Sequence, residues 1–133
     1  RIPGNFPVEP STGFFMSEFR IFHNPRCSKS RQALRLLQER GIEPDVRLYL
    51  QDPPGSAELR VLLGQLGLAA GALLRRGEPE YRELNLADPA LSEEAIIAAL
   101  ASHPRLLERP IVIRGERAVV GRPPERVLAL CDE

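Results

Sequence analysis

The stretch FRIFHNPRCSKSRQALRLLQERGIEPDVRLYL, residues 19–50, decides the fold. Phe19 to Phe22 is a short apolar run of strand type, and His23-Asn24-Pro25-Arg26 reads as a loop. From Ser28 to Arg40 the apolar residues Ala33, Leu34, Leu36 and Leu37 recur at helical spacing, and Gly41 stands where a helix would end. Val46 to Leu50 reads as a second strand. Two strands joined through one helix within about thirty residues make a βαβ unit, whose strands are expected to be parallel. Cys27 then falls at the N-terminus of the helix.

Working outward, helical patterns broken by Gly and Pro fill the middle of the chain at Ser56 to Leu66, Ala69 to Arg75 and Ser92 to Ser102. Ser92-Glu93-Glu94 supplies a capping hydroxyl and two acids at a helix start. Ile111-Val112-Ile113 and Ala118-Val119-Val120, on either side of a Gly115-Glu116 turn, read as a hairpin. Pro123-Pro124 opens a last helix carrying Val127, Leu128 and Leu130. The order βαβ, helical insertion, ββα gives an α/β fold: a thioredoxin-like mixed β-sheet with helices covering its faces.

A chain of 133 residues builds one hydrophobic core. Met16 is the single methionine, so residues 1–15 are expected to be a non-functional expression leader and residues 16–133 a single domain. Eighteen basic and eighteen acidic side chains cancel, so no global charge draws the protein to nucleic acid or to an anionic membrane. Any anion site has to be local. The apolar runs are far shorter than the roughly 20 residues that span a bilayer. The two cysteines, Cys27 and Cys131, form neither a Cys-x-x-Cys nor a cluster of metal-ligand spacing. That usage fits a reducing, cytoplasmic compartment.

A thiol at a helix start faces unpaired backbone N–H groups and the positive end of the helix dipole, and both favour the thiolate. Arg26, Lys29 and Arg31 are expected to add positive charge, and Ser28 and Ser30 hydroxyl donors. The same N–H groups can bind an oxyanion beside the nucleophile. His23, four residues before Cys27, could hold or accept a proton next to the thiol, or serve only as a hydrogen-bonding residue. Arg75, Arg109 and Arg122 each stand at the edge of an element, where a planar guanidinium could reach a shared cleft or remain a solvated charge. A phosphatase-type Cys-x5-Arg loop is excluded, because Ala33 occupies the arginine position.

The segments His23-Asn24-Pro25-Arg26-Cys27-Ser28-Lys29-Ser30-Arg31, Glu108-Arg109-Pro110-Ile111-Val112 and Gly121-Arg122-Pro123-Pro124-Glu125 resemble the glutaredoxin-coupled ArsC arsenate reductase family. The resemblance runs from about Phe19 to Cys131 and includes Tyr49-Leu50, Ala72-Leu73-Leu74-Arg75 and Glu83-Leu84-Asn85-Leu86-Ala87. It implies Cys27 as nucleophile, His23 as a residue lowering its pKa, and Arg75, Arg109 and Arg122 as the oxyanion-binding arginines. It further implies arsenate as substrate, no bound cofactor, glutathione as co-substrate and glutaredoxin as partner. The Cys-Ser-Lys-Ser motif is closest to a short chromosomal subgroup rather than to plasmid-borne members that read Cys-Gly-Thr-Ser. A general glutathione-dependent thiol oxidoreductase would share the site. A transcription regulator of the Spx type would share the fold, but Ser30 replaces the second cysteine of the usual redox switch. Cys131, among apolar neighbours in the last helix, is expected to be structural.

Overall fold

The computed structural model describes residues 18–131, so the expected leader over residues 1–15 lies outside the described residues. Strand β1 (Phe19–His23) leads into helix α1 (Ser28–Glu39), and β2 (Asp45–Leu48) returns parallel to β1 with Val46 opposite Ile21. Helices α2 (Ser56–Leu66), α3 (Pro79–Glu83) and α4 (Glu93–Ser102) follow, with 3₁₀ turns at Ala70–Leu73 and Pro104–Leu106. Strands β3 (Ile111–Arg114) and β4 (Arg117–Val120) form the hairpin, and a 3₁₀ helix covers Pro124–Leu130. The sheet order is β2-β1-β3-β4, with β3 antiparallel to both β1 and β4. This is the thioredoxin-like mixed sheet that the sequence pattern predicts.

Side-chain alternation explains why the strands are apolar without a break. Ile111 and Ile113 face a cluster with Phe22, Tyr49 and, from the insertion, Leu62, Leu73 and Leu100. Val112 points the other way, to Ile21, Ala33 and Leu37 of the βα unit and to Val127 and Leu130. A sheet covered on both faces requires apolar residues at successive positions. Each such side chain, fully buried, contributes about 1.5–3 kcal/mol relative to exposure.

Three local expectations are corrected, and one element goes unread. His23 is the buried last residue of β1 rather than part of the loop. Strand β2 stops at Leu48, whose carbonyl accepts from Gln51 and Asp52 N–H groups in a turn, so Tyr49 and Leu50 lie beyond the strand. The last helix is 3₁₀ rather than α. Its buried residues Pro124, Val127 and Leu130 recur every three positions, the repeat at which 3₁₀ side chains eclipse. The short α3 escapes sequence reading because it buries none of its five residues and so carries no apolar period.

Other termini follow the sequence closely. Gly41 adopts φ +79° just past α1, and its N–H bonds the Gln38 carbonyl. The Ser92 hydroxyl accepts from Ala95 N–H at 3.1 Å and caps α4. No helix among the described residues is long and apolar enough to cross a membrane.

Candidate active site

The loop after β1 folds on Asn24. Its side-chain Oδ1 accepts from Arg26 N–H at 3.0 Å and its carbonyl from Cys27 N–H at 2.9 Å. This turn delivers Cys27 to the N-cap of α1 in an extended conformation, φ −96° and ψ 121°, and the thiol makes no capping bond of its own. Burial pushes the Cys27 thiol up. Against that, the Ser30 N–H, the Arg109 guanidinium by hydrogen bond and by charge, and the Lys29 N–H all favour the anion, and together they hold its pKa below the ordinary cysteine value. The cation beside the thiol is therefore Arg109, brought in from the far half of the chain. Arg26, Lys29 and Arg31, expected to supply that charge, are exposed, and Arg31 spends a guanidinium N–H on the Pro25 carbonyl at 2.9 Å.

A depressed thiol pKa has a direct consequence for reactivity. The thiolate persists as pH falls below the usual cysteine range and is lost only as pH drops through the lowered value. Alkylation of Cys27 by iodoacetamide, followed against pH by mass spectrometry, is expected to show its inflection below the ordinary thiol value of about 8.5. An inflection at or above that point would remove the activated thiol.

His23 stands one turn away from this chemistry. It is 6% exposed, and its Nδ1 lies 2.7 Å from the Ser30 hydroxyl oxygen, which also accepts from Asn24 N–H at 3.0 Å. Burial first, and the charge of Arg31 second, lower the His23 pKa and favour the neutral ring. Ser30, expected to offer its hydroxyl to the site, is fully buried and spends that hydroxyl on fixing β1 to the first turn of α1. It is the Ser30 backbone N–H, not its side chain, that favours the thiolate.

The three arginines come together through backbone pairing that sequence spacing does not reveal. Leu74 and Leu107 form an isolated antiparallel bridge, flanked by Arg75 N–H to the Leu106 carbonyl at 2.7 Å and Glu108 N–H to the Leu73 carbonyl at 2.8 Å. This bridge sets Arg75 beside Glu108 and Arg109. Arg122 arrives from the other side, with Gly121 N–H bonded to the Pro110 carbonyl at 2.8 Å and an Arg122 guanidinium N–H to the Arg109 carbonyl at 3.2 Å. A Cβ on Gly121 would lie 2.9 Å from Pro110 Cγ and 3.0 Å from Val127 Cγ1, so only glycine lets the two loops approach this closely. Both Arg109-Pro110 and Arg122-Pro123 are cis.

Two residues of the cluster carry no role in the sequence reading. The Tyr49 ring is fully buried, and its hydroxyl has no hydrogen-bond partner. Burial raises its pKa to about 12. The charges of Arg109 and Arg75 and the nearby Asn24 side chain act the other way, and the Cys27 thiolate reinforces the rise, which places the phenol among these four groups. Glu108 Oε1 lies 3.6 Å from an Arg75 terminal nitrogen and 3.7 Å from Arg122 Nε, an ion pair on each side. The signal for both residues was their position inside matched segments, Tyr49-Leu50 and Glu108-Arg109-Pro110, but residue type alone assigns neither a task.

Cys131 is partly buried against the core cluster on the α1 side of the sheet, its Sγ 3.9 Å from the Val127 carbonyl, and both cysteines are free thiols. Cys131→Ser is expected to keep most of any thiol-dependent turnover of the protein. A loss equal to that of Cys27→Ser would make Cys131 a second reacting group. Among the described residues, no three His, Cys, Asp or Glu side chains are grouped so as to hold a metal ion.

The ArsC family model matches residues 22–130. The chain is similar to the uncharacterized protein YfgD of Escherichia coli K12, at 54% identity over 114 residues, covering 85% of this chain and 96% of that one. It is similar to an arsenate reductase of Neisseria meningitidis, at 51% identity over 116 residues, covering 86% and 99%. Among solved structures, an arsenate reductase from Vibrio cholerae superposes with a TM-score of 0.82 at 51% identity, covering 84% of this chain and 95% of that one.

Proposed function

The chain belongs to the ArsC family, and from that premise we propose that it is an arsenate reductase in which Cys27 is the nucleophile and glutathione and glutaredoxin supply the electrons. The observation that carries this reading is the Cys27 thiol at the N-cap of α1, its charge favoured by two backbone N–H groups and by Arg109. Relatives at about half identity, among them the Neisseria meningitidis and Vibrio cholerae proteins, bear the name arsenate reductase, which supports the choice of oxyanion.

In this mechanism the Cys27 thiolate attacks As(V) and an As–O bond breaks, the oxygen leaving as water once protonated. Arg75, Arg109 and Arg122 bind the remaining oxygens through paired guanidinium N–H groups, offsetting the charge of the anion and of the attacking sulfur together. The thiol of glutathione then attacks the arsenic and displaces a second oxygen. Reduction to As(III) needs two electrons: the glutaredoxin thiolate attacks the glutathione sulfur, a glutathione–glutaredoxin disulfide forms, and the As–S bond to glutathione breaks with its electron pair left on arsenic; water then replaces Cys27 on the arsenic, so that arsenite departs and the Cys27 thiolate is restored. His23 acts at one remove, by fixing Ser30 and with it the N–H groups of the first turn of α1. The site lies in the reducing compartment that such donors require.

The test is arsenate-dependent oxidation of NADPH with glutathione, glutaredoxin and glutathione reductase supplied. Turnover that requires arsenate and all three components is expected. Turnover of glutathionylated disulfides without any of arsenate would favour a general thiol oxidoreductase, and no turnover of either would overturn the enzymatic reading.

A further inference from the structure

Among the described residues, the groups left unspent in the arginine cluster are unusual in kind. Arg75 Nε and Arg109 Nε are buried donors without a hydrogen-bond partner, and Tyr49 carries an unpartnered hydroxyl. Arg75 Nε has Glu78 Oε2 at 3.5 Å as an ion pair without forming a hydrogen bond. Three arginines alone would suit any tetrahedral anion. Glu108 breaks that simplicity, because its Oε1 is also buried and has no hydrogen-bond partner, though it sits between Arg75 and Arg122. A carboxylate oxygen accepts and cannot donate. Placed where the oxygens of an anion would gather, it repels an anion that offers only acceptors, and it leaves one acceptor to be satisfied by any ligand that fills the cluster.

We propose that Glu108 is a specificity-determining residue that reads a proton on the oxyanion, accepting a hydrogen bond from its X–OH group and so admitting hydrogen arsenate or hydrogen phosphate while rejecting sulfate. The inference rests on the arsenate reductase reading for its substrate but concerns only binding. Hydrogen arsenate retains an O–H at neutral pH, with further oxygens for the guanidinium donors. Sulfate has the same tetrahedral shape and charge but no proton. It would therefore leave Glu108 Oε1 unpaired and set it against an anionic oxygen. Sites that pair a buried polar group with one ligand reject the analogue lacking that partner far more strongly than shape alone allows.

The test is protection of Cys27 from iodoacetamide, measured by mass spectrometry on the intact chain with phosphate, arsenate or sulfate added at equal ionic strength, so that it needs no turnover. Arsenate and phosphate are expected to protect the wild-type chain at concentrations at least about tenfold below any at which sulfate does. Glu108→Gln presents an amide N–H in place of one carboxylate oxygen, and it should narrow that ratio by about tenfold or more, mainly by admitting sulfate. Equal protection by sulfate and phosphate in the wild type overturns the proposal without recourse to a variant, as does protection by no anion. An unchanged ratio in Glu108→Gln, with circular dichroism matching the wild type, overturns it too. Discrimination that persists in a chain unable to turn over arsenate would keep Glu108 in its role and remove the reductase reading instead.

Discussion

Cys27→Ser is expected to reduce arsenate turnover by a factor on the order of a thousand or more while leaving the chain as stable as before, or slightly more stable. The loss follows from the acidity of the group. Two N–H groups and Arg109 lower the thiol's pKa and so favour its anion, but a serine hydroxyl is too weak an acid for the same neighbours to make it an alkoxide. The stability follows from the cap. Cys27 occupies the N-cap of α1 without a side-chain capping bond, and serine is among the preferred residues there, worth about 1 kcal/mol over a residue that does not cap. Thermal unfolding of the variant should thus match the wild type or rise by a few degrees. A large drop in melting temperature would mean that the lost activity reports misfolding, and retained activity would remove Cys27 from the chemistry.

That combination shows which parts of this protein the sequence makes legible. Local periodicity places α1 and the Cys27 helix start, because the apolar stripe of Ala33, Leu34, Leu36 and Leu37 and the stop at Gly41 are all short-range signals. The hairpin is equally readable, since β-branched runs flank a tight turn. What is not local is not legible in this way. The cation on the thiol is assigned by nearness in sequence to Arg26, Lys29 and Arg31, whereas the fold supplies Arg109 across the sheet from a residue more than eighty positions away. Tyr49 reads as a strand residue, and its unspent hydroxyl becomes visible only when burial and the absence of a partner are known together. Arg75, Arg109 and Arg122 stand out from other surface arginines only through family resemblance, because the Leu74–Leu107 bridge and the Gly121–Pro110 contact that gather them have no periodic signature.

Arg109→Ala is expected to carry the second largest effect, a fall of about a hundredfold to a thousandfold in kcat/KM for arsenate, the range seen when one preorganised donor to a developing anion is removed. It should act twice. The guanidinium both favours the Cys27 thiolate and stands among the groups that would receive the oxyanion, so its loss weakens the nucleophile and the binding of its target together. The first effect is separable. With the hydrogen bond and the charge of Arg109 gone, burial of the thiol is opposed by the Ser30 and Lys29 N–H groups alone, and the inflection for alkylation should move to higher pH. Arg75→Ala and Arg122→Ala are expected to weaken arsenate use without moving that inflection, because neither side chain is among the groups that set the thiol's pKa. Arg109→Lys sharpens the distinction: it returns the charge and part of the thiolate, but not the planar pair of N–H groups that matches two oxygens of a tetrahedral anion. Its alkylation profile should therefore recover further than its kcat/KM does. An Arg109→Ala profile that coincides with the wild type would transfer the control of the thiol from Arg109 to the helix terminus, and an Arg75→Ala profile that shifts as far would make Arg75 an equal partner in it.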